Sequence, residues 1–269
     1  MGLAFEGLGS GPPLVLLHGL GHRRQAWDAV LGKLLPYRRV IAVDLPGHGQ
    51  SPPVRAGGEP TVRVLLREII GLLDDLELQR PHVGGSSLGG RLALELAVRG
   101  RAASATALSP AGFWTTDKEL RYVKAIFWAM HTAGAALRPV NPALSCSTAG
   151  RALVYAAIVS RPSQIRPEQA VGDMTSFLAA KDVMRAILRE AYPFTANIPS
   201  QVPVTIGWGT RDRLLPPRQA FVAKARLPQA RIVPLPGCGH VPMTDDPQLV
   251  ADVLLAGSRL PAAVDVTSR

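Results

Sequence analysis

The stretch from Arg80 to Arg99, R-P-H-V-G-G-S-S-L-G-G-R-L-A-L-E-L-A-V-R, constrains this chain more than any other. A short apolar run ends in glycines, two serines and two further glycines follow, and an Ala/Leu-rich helical pattern begins at once. That is the layout of a strand that turns sharply into a helix and holds a serine hydroxyl at the corner. Glycine spacing chooses between the serines. Gly85-Ser86-Ser87-Leu88-Gly89 satisfies G-x-S-x-G, whereas a corner centred on Ser86 would put Leu88 where close helix–strand packing wants glycine. Ser87 is therefore the candidate nucleophile. A Gly-Ser loop that merely opens a helix, or one that cradles a phosphate at a helix N-terminus, would read the same way. The rest of the chain has to decide.

Pro12 to Leu17 is a continuous apolar run, as expected of a strand buried on both faces, and it ends at His18-Gly19-Leu20-Gly21. Helical spacing follows from Arg24 to Leu35, then a second buried strand from Arg39 to Val43 that runs into a turn-rich loop, Asp44 to Ser51. Thr61 is placed to cap a helix reaching Leu76. Pro81 to Gly84 and Ser104 to Leu108 read as further strands, and the same rhythm returns with strands at Pro203 to Trp208 and Arg231 to Leu235, each followed by a helix. Strands alternating with helices predict right-handed crossovers and a mostly parallel central sheet flanked by helices, an α/β fold. Between residues 112 and 199 the strand-like runs disappear and aromatics concentrate. The expected organisation is a core of residues 1–111 and 200–269 carrying a helical cap, or lid, of residues 112–199.

Composition excludes several classes. Hydrophobic residues make up 47% and charged residues 19%, so the chain is globular rather than disordered. No apolar run approaches the ~18 to 20 residues that cross a bilayer, and the N-terminus lacks a secretory pattern. With Cys146 and Cys238 its sole cysteines, a disulfide framework is not expected, and a soluble cytoplasmic protein is. The net charge of +10 comes mostly from scattered arginines without an aromatic-studded basic stripe, which argues against nucleic-acid binding.

A serine hydroxyl needs a base, and the base needs a carboxylate to fix its tautomer. His240, in Pro236-Gly237-Cys238-Gly239-His240, follows the last predicted strand, and Asp212, in Gly207-Trp208-Gly209-Thr210-Arg211-Asp212, follows the one before it. Taken singly, such a histidine is more often structural and such an aspartate more often a solvated ion pair. Together, Ser87, Asp212 and His240 come in the order nucleophile, acid, base, each at the carboxyl end of a separate strand, where parallel sheets keep their chemistry. Asp44 competes for the acid role. The oxyanion of an acyl-transfer intermediate requires N–H donors, for which Leu88 and Leu20 are the candidates. His18 and His22 lack a third ligand or carboxylate to complete a metal site, and His18 is expected to shape its turn.

With these motifs in order, the chain resembles an α/β-hydrolase of the cap-bearing, esterase-like type. The H-G turn at His18, the D-L-P-G-H-G-Q-S loop at Asp44, the elbow at Ser87, and the G-T-R-D-R-L-L-P and G-C-G-H segments at Asp212 and His240 carry the resemblance. It implies a serine hydrolase that needs no metal or organic cofactor and acts on small to medium apolar or aromatic esters through an acyl-enzyme. C–C bond hydrolysis, a carboxylate-recognising lyase, cofactor-free perhydrolysis and a non-catalytic binding protein are the competing readings. Because only Leu3 to Gly7 precede the loop into the first buried strand, the family's usual first edge strand is expected to be missing. Phe113, Trp114, Trp128 and Phe177 are candidate cavity residues. Arg91, four residues beyond Ser87, either holds a substrate carboxylate, as the G-G-R run of a related lyase suggests, or pairs with Glu95 at the helix surface.

Overall fold

The computed structural model describes residues 2–54 and 61–259. Its core contains β1 (Phe5–Leu8), β2 (Pro13–Leu17), α1 (Asp28–Leu34), β3 (Arg39–Val43), α2 (Val62–Asp75), β4 (His82–Ser86), α3 (Leu88–Val98) and β5 (Ser104–Leu108). Five helices follow before the sheet resumes: α4 (Asp117–Leu137), α5 (Asn141–Cys146), α6 (Thr148–Tyr155), α7 (Pro167–Ala179) and α8 (Lys181–Arg189). The chain then returns through β6 (Val204–Gly209), α9 (Gln219–Arg226), β7 (Arg231–Leu235), α10 (Pro242–Asp245) and α11 (Pro247–Gly257). The sequence reads as frayed over its last dozen residues, most of which lie outside the described ones.

The strands form one sheet in the order β1-β3-β2-β4-β5-β6-β7, parallel throughout except for β1, which pairs antiparallel with β3. A four-residue edge strand thus forms where the sequence reading expected none. Phe5 to Leu8 pair residue for residue with Val43 to Val40, and Ala4 on either side is anchored by Asp44 N–H to Ala4 O and Ala4 N–H to Ser51 Oγ, both 2.9 Å.

The apolar runs become strands because both faces of the sheet are covered. Alternation along β4 makes this visible. A Cβ on Gly84 would sit 2.6 Å from Leu254 of α11, whereas one on Gly85 would sit 2.1 Å from the Gly89 carbonyl of α3. Helix α2 starts where Thr61 Oγ1 accepts the Val64 N–H, and it buries Leu65, Ile69, Leu72 and Leu73 along one stripe. β2 lies between β3 and β4, so the crossovers change direction between β2 and β4. In open α/β sheets such a switch opens a crevice at the carboxyl ends of the strands. The loop His18–His22 and Ser87 both fall there.

At the base of the inserted helices, Phe194 N–H donates to Gly112 O at 2.7 Å, and Arg226 Nη1 donates to Phe194 O at 2.6 Å. The two ends of the insertion are thereby pinned to each other and to α9.

Candidate active site

Ser87 stands at the corner between β4 and α3 with φ 55° and ψ −112°, a conformation that costs a non-glycine residue about 1–3 kcal/mol and persists only when its surroundings hold it. They do. The Ser87 N–H donates to Leu108 O at 2.9 Å, and the Ser87 carbonyl accepts from Arg91 N–H at 2.9 Å and Ala111 N–H at 3.1 Å. The flanking glycines are required by close approach of backbone. Besides the clash at Gly85, a Cβ on Gly89 would lie 2.0 Å from Leu17 O, so helix α3 meets the β2 backbone there directly.

His240 Nδ1 lies 2.8 Å from Asp212 Oδ2. Asp212 Oδ1 accepts the N–H groups of Leu214 and Leu215 at 2.9 and 2.8 Å, so its carboxylate faces donors on every side and the ring proton belongs on Nδ1. Nε2 of His240 is left as the basic nitrogen, and His240 and Ser87 border one cavity. Asp44, the other acid candidate, is spent elsewhere. It accepts Arg24 N–H at 2.6 Å and Gln50 N–H at 3.0 Å and pairs with the Arg24 guanidinium, which closes the loop after β3. Asp245, at the end of α10, takes N–H bonds from Gly239 (2.7 Å), Ser160 (3.1 Å) and Arg161 (2.6 Å). It ties the His240 loop to the chain that follows α6. Cys238 is buried in that loop, and burial pushes its thiol up to about 11, away from reactive thiolate chemistry.

His18 shapes the loop after β2. Its Nε2 accepts the Leu45 N–H at 2.9 Å, so its proton sits on Nδ1, which faces Gly19 O at 2.7 Å. Neither nitrogen is left for a metal, and burial holds this ring far below the ordinary imidazole pKa. Gly19 O also accepts His22 N–H at 3.1 Å, which closes a tight turn around Leu20. Leu88 begins α3, where the first N–H groups have no partner within the helix. The N–H groups of Leu20 and Leu88 therefore come from the two backbone segments next to Ser87.

Two apolar cavities of about 50 and about 40 Å³ meet over Ser87. Leu20, Phe127 and Leu214 border both, and only the smaller is bordered by His240. Of the candidate cavity residues, Trp114 borders the larger and Phe177 the smaller. Phe113 and Trp128 border neither. Phe113 is fully buried against Phe194 and Trp208, with ring centroids 5.7 and 6.3 Å away, and Trp128 lies on the outer side of α4, 36% exposed. The signal for the true lining was present: Leu120, Val123, Phe127 and Met130 recur at helical spacing and form the inner stripe of α4. Arg91 borders the larger cavity but is buried rather than at the surface. Its Nε and Nη2 both meet Glu95 Oε1 at 2.9 Å, its Nη1 donates to Tyr192 O at 3.1 Å, and the rings of Tyr192 and Phe194 lie 4.7 and 5.0 Å from the guanidinium carbon. Its donors point at the protein, and it struts the return of the insertion against α3.

This elbow, its histidine–carboxylate pair and the switch-point crevice define a class of enzyme folds, and residues 14–253 match the model of the alpha/beta hydrolase family. The chain belongs to that family. It is 31% identical over 263 residues to an uncharacterized protein of Mycobacterium tuberculosis, covering 93% of this chain and 76% of that one. Lipase 1 of Psychrobacter immobilis is 26% identical over 258 residues, 90% of this chain and 75% of the lipase. Among solved structures, an esterase from Rhodococcus sp. ECU1013 superposes with a TM-score of 0.73 at 24% identity, covering 96% of this chain and 95% of the esterase.

Proposed function

We propose that this protein is a serine hydrolase that cleaves carboxylic esters of small to medium apolar or aromatic acyl groups, using Ser87, His240 and Asp212. The observation that carries the proposal is the His240–Asp212 bond, which leaves Nε2 of His240 basic beside a cavity it shares with Ser87. Nε2 takes the Ser87 proton as Oγ attacks the carbonyl carbon. The N–H groups of Leu20 and Leu88 receive the oxyanion, the imidazolium formed is stabilised by Asp212, and its proton passes to the departing alcohol. Water then repeats the sequence on the acyl-enzyme. Since the proton leaves from His240, the alcohol belongs in the cavity that His240 borders and the acyl chain in the other. The inserted helices act as a cap over both. Lipase and esterase relatives favour ester substrates, and no step calls for a metal or organic cofactor. The engagement of Arg91 by Glu95 and the Tyr192 carbonyl favours a neutral ester over a carboxylate-bearing substrate. No helix among the described residues is long and apolar enough to cross a membrane, in keeping with a cytoplasmic enzyme acting on small molecules.

A fluorophosphonate probe tests the proposal. Wild type is expected to be labelled at Ser87, and Ser87→Ala to lose both labelling and about 10⁶-fold in kcat. An unlabelled wild type would sink the serine mechanism in favour of a non-catalytic binding protein, and a Ser87→Ala variant labelled like wild type would sink Ser87 as the nucleophile.

A further inference from the structure

The loop bearing the Leu20 N–H is held from two sides. On the core side, His18 and the double acceptance at Gly19 O fix the residues before Leu20. On the other side the holds come from α7, in the insertion. Ser176 Oγ donates to His22 O at 3.0 Å, and Arg23 Nε donates to Asp173 Oδ1 at 3.0 Å. The Phe177 ring lies so close to Gly21 that a Cβ there would be 2.4 Å from it. Gly172 faces the Arg23 guanidinium, where its own Cβ would be 2.2 Å from a nitrogen. Residues 172, 173, 176 and 177 recur at helical spacing and so present one face of α7 to three consecutive loop residues, Gly21 to Arg23, directly after Leu20. The insertion thus does more than roof the cavities. Asp173 and Ser176 are buried, and so are Leu20 and Gly21 in the loop they grip.

We infer that α7 sets the position of the Leu20 N–H, with Asp173 and Ser176 as positioning residues for the oxyanion, so that the site is complete only while α7 is seated on the loop. The inference rests on the serine mechanism proposed above. An oxyanion donor acts within about 0.4 Å of its best distance, and losing one outright costs about 10²–10³ in kcat. Loosening the loop should therefore lower kcat without weakening ground-state binding of a small ester, whose carbonyl does not yet carry the charge.

The experiment compares Asp173→Asn and Ser176→Ala with Arg166→Ala, which removes a different contact of the α7 segment, the exposed 3.5 Å pair with Asp28. With p-nitrophenyl acetate, Asp173→Asn is expected to lower kcat about 10-fold and Ser176→Ala about 3-fold, with KM within about twofold of wild type. A butylboronic acid, whose tetrahedral adduct on Ser87 puts an oxygen where the oxyanion forms, should lose affinity by the same factors. Arg166→Ala should leave kcat and boronate affinity unchanged. Unchanged kcat in the first two variants, a change confined to KM or Tm, or an equal loss in Arg166→Ala would each overturn the inference. Ser176→Ala removes one hydroxyl and keeps the test open if Asp173→Asn does not fold. Failure of the underlying mechanism is seen separately: wild type itself is then neither labelled by fluorophosphonate nor inhibited by the boronate.

Discussion

Two buried aspartates end strands of this sheet, and their surroundings give them different work. Asp212 faces two backbone N–H groups and a ring nitrogen that has its own task, whereas Asp44 faces Arg24 and the N–H groups that close its loop. Asp212→Asn should therefore leave the fold intact and cost about 10⁴ in kcat, because an amide can no longer hold the proton on Nδ1. Asp44→Asn should lower Tm through the lost Arg24 pairing while the pH–rate profile keeps its shape. Melting curves and pH–rate profiles of both variants check this, and the opposite pattern would exchange their roles. The proposed triad is readable in the sequence because the chemistry demands a set: one serine at a glycine corner calls for one histidine and one acid at neighbouring strand ends. Aromaticity pointed to part of the lining, Trp114 and Phe177, and periodicity was needed for the rest. Size and aromaticity point equally to Phe113, Trp128 and Phe127, but only Phe127 lies on the inner stripe of α4, and Phe113 is drawn into the core by Phe194 and Trp208.

The elements themselves follow from the local pattern wherever burial is two-sided. Strands β3 and β5 occupy the residues their apolar runs mark, and Thr61 caps α2 as its position suggests. The edge strand β1 was not legible, since three of its four residues are exposed to solvent and pairing with β3, not hydrophobicity, makes it a strand. Pairing there depends on the loop after β3, where His48 contributes a property of its own. His48 packs edge-on against His18 with ring centroids 5.2 Å apart, and burial lowers its pKa from 6.5 to about 4. Since the unfolded state binds the proton more readily, this group's contribution is complete above pH 6.5 and is lost as pH falls toward 4. A shift of that size corresponds to roughly 3 kcal/mol by pH 4, and His18 acts in the same direction. Urea unfolding between pH 7 and 4 should show stability falling steadily, and His48→Asn should flatten the slope by close to one proton. An unaltered slope would mean that the pH dependence lies elsewhere.

At the scale of the molecule, the proposed triad lies on loops at the carboxyl ends of the sheet's strands, and the helices between β5 and β6 line the two cavities beside Ser87. The cavity assigned to the acyl chain is small, about 50 Å³, and its lining is mostly apolar, so it favours short acyl chains. Each methylene that finds space there gains about 0.8 kcal/mol, close to fourfold in kcat/KM, and the first that finds none must displace the roof. The expected profile over p-nitrophenyl esters is thus a rise from acetyl to butanoyl and a fall by hexanoyl. Phe127 borders both cavities above Ser87, as Leu20 and Leu214 do, and of these three it alone comes from α4. Phe127→Ala should join them and move the optimum to longer chains, with kcat on acetate little changed because neither the nucleophile nor its oxyanion donors are touched. Wild-type rates that stay level from acetyl to decanoyl would mean that the roof opens freely during turnover. Because α7 belongs to that same roof, free opening and a fixed Leu20 N–H are incompatible, and the chain-length profile bears on both.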